Sequence, residues 1–182
     1  MSWSDLELRE RRATLRLAPA LPIDEPAEIA RIADALEKSF RMHVEPGYVK
    51  SPAAPISAIR FYWAGTEIEP WVPSDVWCDG WLSHRYEETP DRNVLVHGAA
   101  NFHACGGFDL GPIGELLLAA EDDDARKLLV LGSIDLVESA LAIAVQTPAF
   151  ARIPKLDPFE FFATPGHDEP SVRLDPLRSV RL

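Results

Sequence analysis

Residues 122–146, DDDARKLLVLGSIDLVESALAIAVQ, constrain the fold more than any other part of the chain. Wound as an α-helix, they gather Lys127, Asp135, Glu138 and Gln146 into one narrow polar strip. Leu129, Val130, Ile134, Leu136, Val137, Ala140, Leu141, Ala144 and Val145 then cover most of the remaining circumference. A helix apolar on so many sides must be covered by other elements, so the sequence predicts a central helix inside a shell. Gly132-Ser133 leaves two alternatives open: one continuous helix, or a buried strand at residues 128–131 followed by a helix capped by Ser133.

The 182 residues are enough for one domain with its own core and too few for two comfortable ones. With 47% hydrophobic and 26% charged residues, the composition is that of a globular protein and not of a disordered one. A formal net charge of −11 argues against nucleic acid or an anionic membrane as partner, because phosphate is recognised through clustered Lys and Arg. A basic partner is the natural complement, although acidity also serves plain solubility. The chain opens MSWSDLE, without a basic and apolar leader, and no run approaches the roughly 18 apolar residues of a membrane span. A cytoplasmic location is therefore expected. Two cysteines, Cys78 and Cys105, are consistent with a reducing compartment.

Residues 6–17, LELRERRATLRL, read as an edge strand or short hairpin whose arginines discourage further pairing. Asp24 is placed to cap a helix from Glu25 to about Arg41, with Pro26 in its first turn and Ile29, Ile32, Ala33, Leu36 and Phe40 on one side. Residues 43–55 hold three prolines and should be irregular. ISAIRFYW, residues 56–63, has strand composition, and Ala64-Gly65-Thr66 reads as a turn into a partner strand at 67–72. Residues 76–86 read as a strand pair or a bulged strand with Asp79-Gly80 as its turn, 93–97 as another strand, and 111–121 as a helix. Past Thr147-Pro148, five further prolines predict little regular structure, with Phe159, Phe161 and Phe162 pinning the segment to the body. The expectation is an α+β protein: a single domain over residues 1–153, mainly antiparallel sheet packed against two to four helices, then a Pro-rich extended C-terminal tail over 154–182.

Chemistry-bearing residues concentrate between Phe61 and Phe108, where Trp63, Trp71, Trp77 and Trp81 accompany His84, His97, His103 and both cysteines. The indoles suit an aromatic pocket or a protein-binding face, and more readily the packing of a sheet under helices. His97, His103 and Cys105 are the one His/Cys cluster. Their spacing fits no zinc pattern well, and a straight strand would hold the imidazoles about 20 Å apart, so no metal and no cofactor are expected. Cys105, before Gly106-Gly107, is also a candidate nucleophile, with His97 or His103 as base, Asp79 or Asp109 orienting it and glycine amides as oxyanion donors. Phosphate-binding loops, dinucleotide fingerprints, H-E-x-x-H and G-x-S-x-G are absent.

These observations favour a non-enzymatic acidic binding protein, an inhibitor or immunity-type neutralising partner of a basic protein. Its contacts would come from Trp71, Trp77, Trp81, Glu87, Glu88 and Asp91. The alternative is a small-ligand or metal-binding protein, or a Cys/His-dependent hydrolase, with a pocket around His97, His103 and Cys105 that also draws on Trp63, Trp77 and His84. A third reading is a homodimer in which the C-terminal tail crosses between subunits.

Overall fold

The computed structural model describes residues 23–44, 55–66, 72–88, 93–97, 102–165 and 171–176. The expected strand at 6–17 lies outside them. Helix α1 (Glu25–Met42) begins where its cap predicts: the Asp24 side chain accepts from the Ala27 amide at 3.2 Å, and a proline occupies the first turn. Strands β1 (Ile56–Thr66), β2 (Val72–Trp81), β3 (His84–Glu88), β4 (Asn93–His97) and β5 (Phe102–Asp109) follow. Helices α2 (Pro112–Ala119), α3 (Asp123–Ala144) and α4 (Pro148–Ala151) then lead into β6 (Lys155–Thr164) and β7 (Val172–Leu174). The architecture is α+β.

Five strands form one mixed sheet in the order β5-β2-β1-β6-β7, while β3 and β4 form a separate antiparallel pair. Among the described residues only the β1–β6 pairing is parallel. A parallel neighbour cannot be reached by a tight hairpin, and the chain between β5 and β6 supplies the necessary crossover as three helices. Side chains alternate across β1. Ile59, Phe61 and Trp63 join Ile32, Leu36 and Phe40 of α1 and Ile134, Val137 and Leu141 of α3 in the main core. Ala58 belongs to a second cluster with Trp81 and Phe162, on the opposite face.

Helix α3 runs unbroken through Gly132-Ser133, both of them buried, which settles the alternative left open above. Ser133 is tolerated because its Oγ donates to the Val130 carbonyl at 2.6 Å and accepts from Trp63 Nε1 at 2.8 Å. The polar strip is only partly wet. Glu138 is 4% exposed, and its carboxylate accepts from the Asp175 amide at 2.9 Å, tying the end of β7 to the helix.

Three expectations are corrected. Ala64-Gly65-Thr66 is no turn: β1 continues through it, with a bulge between Ala64 and Gly65, and Thr66 pairs with Val72. Asp79-Gly80 is no turn either. Both sit mid-strand opposite Arg60 and Ile59, and β2 runs on to Trp81 before the chain bends at Leu82 and Ser83. Gly80 is required for space, since a Cβ there would stand 2.7 Å from the His43 ring. Finally, regular structure is not scarce after Pro148, because β6 and β7 complete the sheet. Proline is accommodated by a large bulge: Ile56 pairs with Lys155 but Ala58 pairs with Glu160, so Pro158 falls where β1 asks for no ladder bond. The Asp157–Pro158 peptide is cis. Phe159 and Phe161 pack edge to face at 5.1 Å and close on Phe150, which anchors this part of the chain as its aromatics suggested.

Candidate functional site

The sheet face turned away from the main core carries polar and aromatic side chains side by side. Arg60 of β1 and Asp79 of β2 are register partners, joined by Nη2–Oδ2 at 2.6 Å and Nε–Oδ2 at 3.2 Å. The guanidinium lies 4.8 Å from the Trp81 ring centroid and 5.1 Å from that of Tyr62, so the cation is held by aromatic faces as well as by the carboxylate. Asp79 is 1% exposed, and its Oδ1 has no hydrogen-bond partner among the described residues.

One end of this face is shaped by the β1–β6 bulge. There the register skips from Lys155 to Glu160, and residues 156–159 loop out of the ladder beside Ser57. Lys155 secures the start of the loop by donating from Nζ to the carbonyls of Phe150 and Ile153, and its partial burial lowers the ammonium from its ordinary range. His84, the first residue of β3, bridges the gap between the two strands. Its Nδ1 stands 2.8 Å from Ser57 Oγ and its Nε2 stands 2.6 Å from Glu160 Oε2. Arg173 of β7 donates from Nε to the other carboxylate oxygen, Oε1, at 2.9 Å. The imidazole is further seated edge to face on Phe162, with ring centroids 5.3 Å apart.

Four strands thus contribute to one chain of contacts, Arg173–Glu160–His84–Ser57. An ionised carboxylate only accepts, so Glu160 selects the histidine form that carries a proton on Nε2. Ser57 has two acceptors within reach, His84 Nδ1 at 2.8 Å and the Trp81 carbonyl at 3.2 Å. With the hydroxyl turned to Nδ1 the imidazole is neutral. With it turned to the carbonyl, Nδ1 must itself donate to Oγ, and the ring is an imidazolium braced by Glu160. One proton separates the two arrangements, which is the behaviour a proton-transfer site needs. Ser57, His84, Glu160 and Arg173 all line an open pocket of about 430 Å³, completed by Ser83, Leu156, Asp157 and Pro158.

The residues singled out from sequence are distributed otherwise. Trp77 is 48% exposed and meets Tyr62 edge to face at 6.5 Å. Trp81 is 1% exposed and Trp63 fully buried, so neither indole presents a surface. Trp71 and Asp91 lie outside the described residues. Glu87 and Glu88 are on β3 opposite Val94 and Asn93, with side chains outside the described part. The same holds for the side chains of His97, His103 and Cys105, although the ladders set His97 opposite His84 and Cys105 opposite Asp79. Asp109 is exposed and accepts from the Gly111 amide at the entry to α2. Among the described residues no group of three or more His, Cys, Asp and Glu side chains is placed to hold a metal ion, and no helix is long and apolar enough to cross a membrane.

Ser57, Glu160 and Arg173 carry no local signature. Ser57 is the second residue of an ordinary strand, and the other two lie in the stretch whose prolines masked its strands. Only the parallel pairing of β1 with β6 brings them to His84. Compared with known protein families, curated proteins and solved structures, the chain matches none, so its function is argued from the site alone.

Proposed function

We propose that this protein binds a small molecule in the pocket beside the 156–159 bulge. The observation that carries the reading is His84, held between Ser57 and Glu160 on the wall of an opening of about 430 Å³. That volume falls within the range of about 300–1,000 Å³ usual for small-molecule sites, which combine apolar walls with a few placed polar groups. Leu156 and Pro158 supply apolar wall, and Ser57, Ser83 and His84 supply hydrogen bonds. Arg173 offsets Glu160, its ion-pair partner, but Asp157 and the chain's net charge of −11 still weigh against an anion and leave neutral or cationic ligands.

A second reading is favoured by one observation: Trp77 presents a half-exposed indole on an acidic chain. An indole anchor on an acidic chain suits capture of a basic protein, of the inhibitory or immunity type, in the cytoplasm. Trp77, with Trp71, Glu87, Glu88 and Asp91 as further candidates, would form that face; Trp81 would not.

One experiment separates the two. In amide correlation spectra of the labelled protein titrated with a library of small neutral amides and esters, the pocket reading predicts shifts centred on Ser57, Ser83, His84, Leu156 and Glu160. Ser83→Trp, which fills the exposed rim, abolishes them. Shifts scattered over the surface, or unchanged in Ser83→Trp, contradict it. Under the second reading, a cationic protein moves the Trp77 indole signal and leaves the pocket amides where they were.

A further inference from the structure

We infer that the pocket is hydrolytic, with Ser57 as the nucleophile, His84 as its general base and Glu160 as the positioning residue, acting on small neutral or cationic carboxylic esters. The inference rests on the pocket reading above and adds a reaction to it.

A hydroxyl becomes a useful nucleophile only when a base takes its proton as the new bond forms, and the base works best when a third group fixes its tautomer. Both conditions are met, with Oγ to Nδ1 at 2.8 Å and Nε2 to Oε2 at 2.6 Å, and the carboxylate is itself pinned from its other oxygen by Arg173 at 2.9 Å. The ring nitrogens are used in the order opposite to that of the familiar serine-protease arrangement, which changes no step of the proton bookkeeping. Ser57 Oγ attacks the ester carbonyl carbon while its proton passes to His84 Nδ1. The tetrahedral intermediate collapses by breaking the carbon–oxygen bond to the alcohol, which departs with that proton. Water then attacks the acyl carbon, yields a proton to Nδ1, and the acyl–Oγ bond breaks as the proton returns to Oγ. Alcohol and carboxylic acid are the products, water is the sole co-reactant, and nothing is oxidised or reduced.

Substrate preference follows from the lining. Leu156 is 42% exposed at the mouth and, with Pro158, offers an apolar surface to an acyl or alkyl group, while Asp157 repels an anionic one.

The test treats the full chain with a fluorophosphonate–biotin probe and separately measures hydrolysis of 4-nitrophenyl acetate. The expected result is a single phosphonyl adduct on the Ser57 peptide, absent from Ser57→Ala, and ester hydrolysis reduced about a hundredfold in that variant. Glu160→Gln is expected to lower kcat about tenfold at unchanged KM while the phosphonyl adduct on Ser57 still reaches the parent's yield, only more slowly; a merely structural loss would lower that yield. Each variant is accepted only when its amide spectrum away from the pocket matches the parent's; where the alanine variant does not fold, the adduct on Ser57 of the parent chain, which needs no substitution, decides. No adduct at Ser57, or Ser57→Ala hydrolysing the ester at the parent's rate, overturns the inference. 4-Nitroacetanilide, the amide counterpart, separates the two levels. If it shifts the pocket amides while adduct and turnover are absent, hydrolysis alone is wrong; if it shifts none of them, the pocket reading falls as well.

Discussion

Trp63→Ala is expected to destabilise the fold by about 3–5 kcal/mol, read as a lower midpoint in urea at unchanged slope. Trp63 is fully buried and among the largest such side chains, and it stands where β1 meets α3. Removing it opens a cavity in the main core and takes away the indole that donates to Ser133 at 2.8 Å. The serine is not stranded by the change, because its own hydroxyl still donates to Val130 at 2.6 Å. The cost is therefore chiefly lost packing. Ser133→Ala should cost less, about 1–3 kcal/mol, by leaving a buried indole N–H without its acceptor. A Trp63→Ala loss below about 1 kcal/mol would mean that the sheet does not rest on the long helix in the way described.

Arg60→Ala is expected to cost a similar amount, about 3–5 kcal/mol, because it strands a carboxylate inside the protein. The informative comparison is with Asp79→Ala. The Asp79 side chain is 1% exposed and one of its oxygens already lacks a partner among the described residues, whereas the Arg60 side chain is 20% exposed and retains the faces of Tyr62 and Trp81. Losing the arginine should thus be the worse of the two. The double variant should cost less than the sum of the singles, since removing both charges leaves neither uncompensated. Equal and additive losses in urea denaturation would show that the pair is not a coupled, buried contact.

Much of the scaffold was legible in the residues. The Asp24 cap with Pro26 fixes the start of α1, the apolar circumference of 122–146 yields α3, and β-branched and aromatic composition marks β1. What misled was glycine and proline read as punctuation. Gly65 serves a bulge, Gly80 makes room for His43, and Pro158 sits in a register skip; in each case a contact distant in sequence decides the local structure. The site was less legible for the same reason. His84 was among the candidates, but Ser57, Glu160 and Arg173 become its neighbours only through a parallel crossover that periodicity cannot reveal. Of the indoles expected at a partner face, Trp77 is half-exposed but Trp81 lies buried under Arg60.

Long-range proton–nitrogen correlation of the histidine rings examines the His84 bridge itself. At a pH where the ring is neutral, His84 is expected to carry its proton on Nε2, and Ser57→Ala to move the Nδ1 resonance while the Nε2 proton stays in place. A neutral ring protonated on Nδ1, or one averaging between both forms with no response to Ser57→Ala, would contradict it.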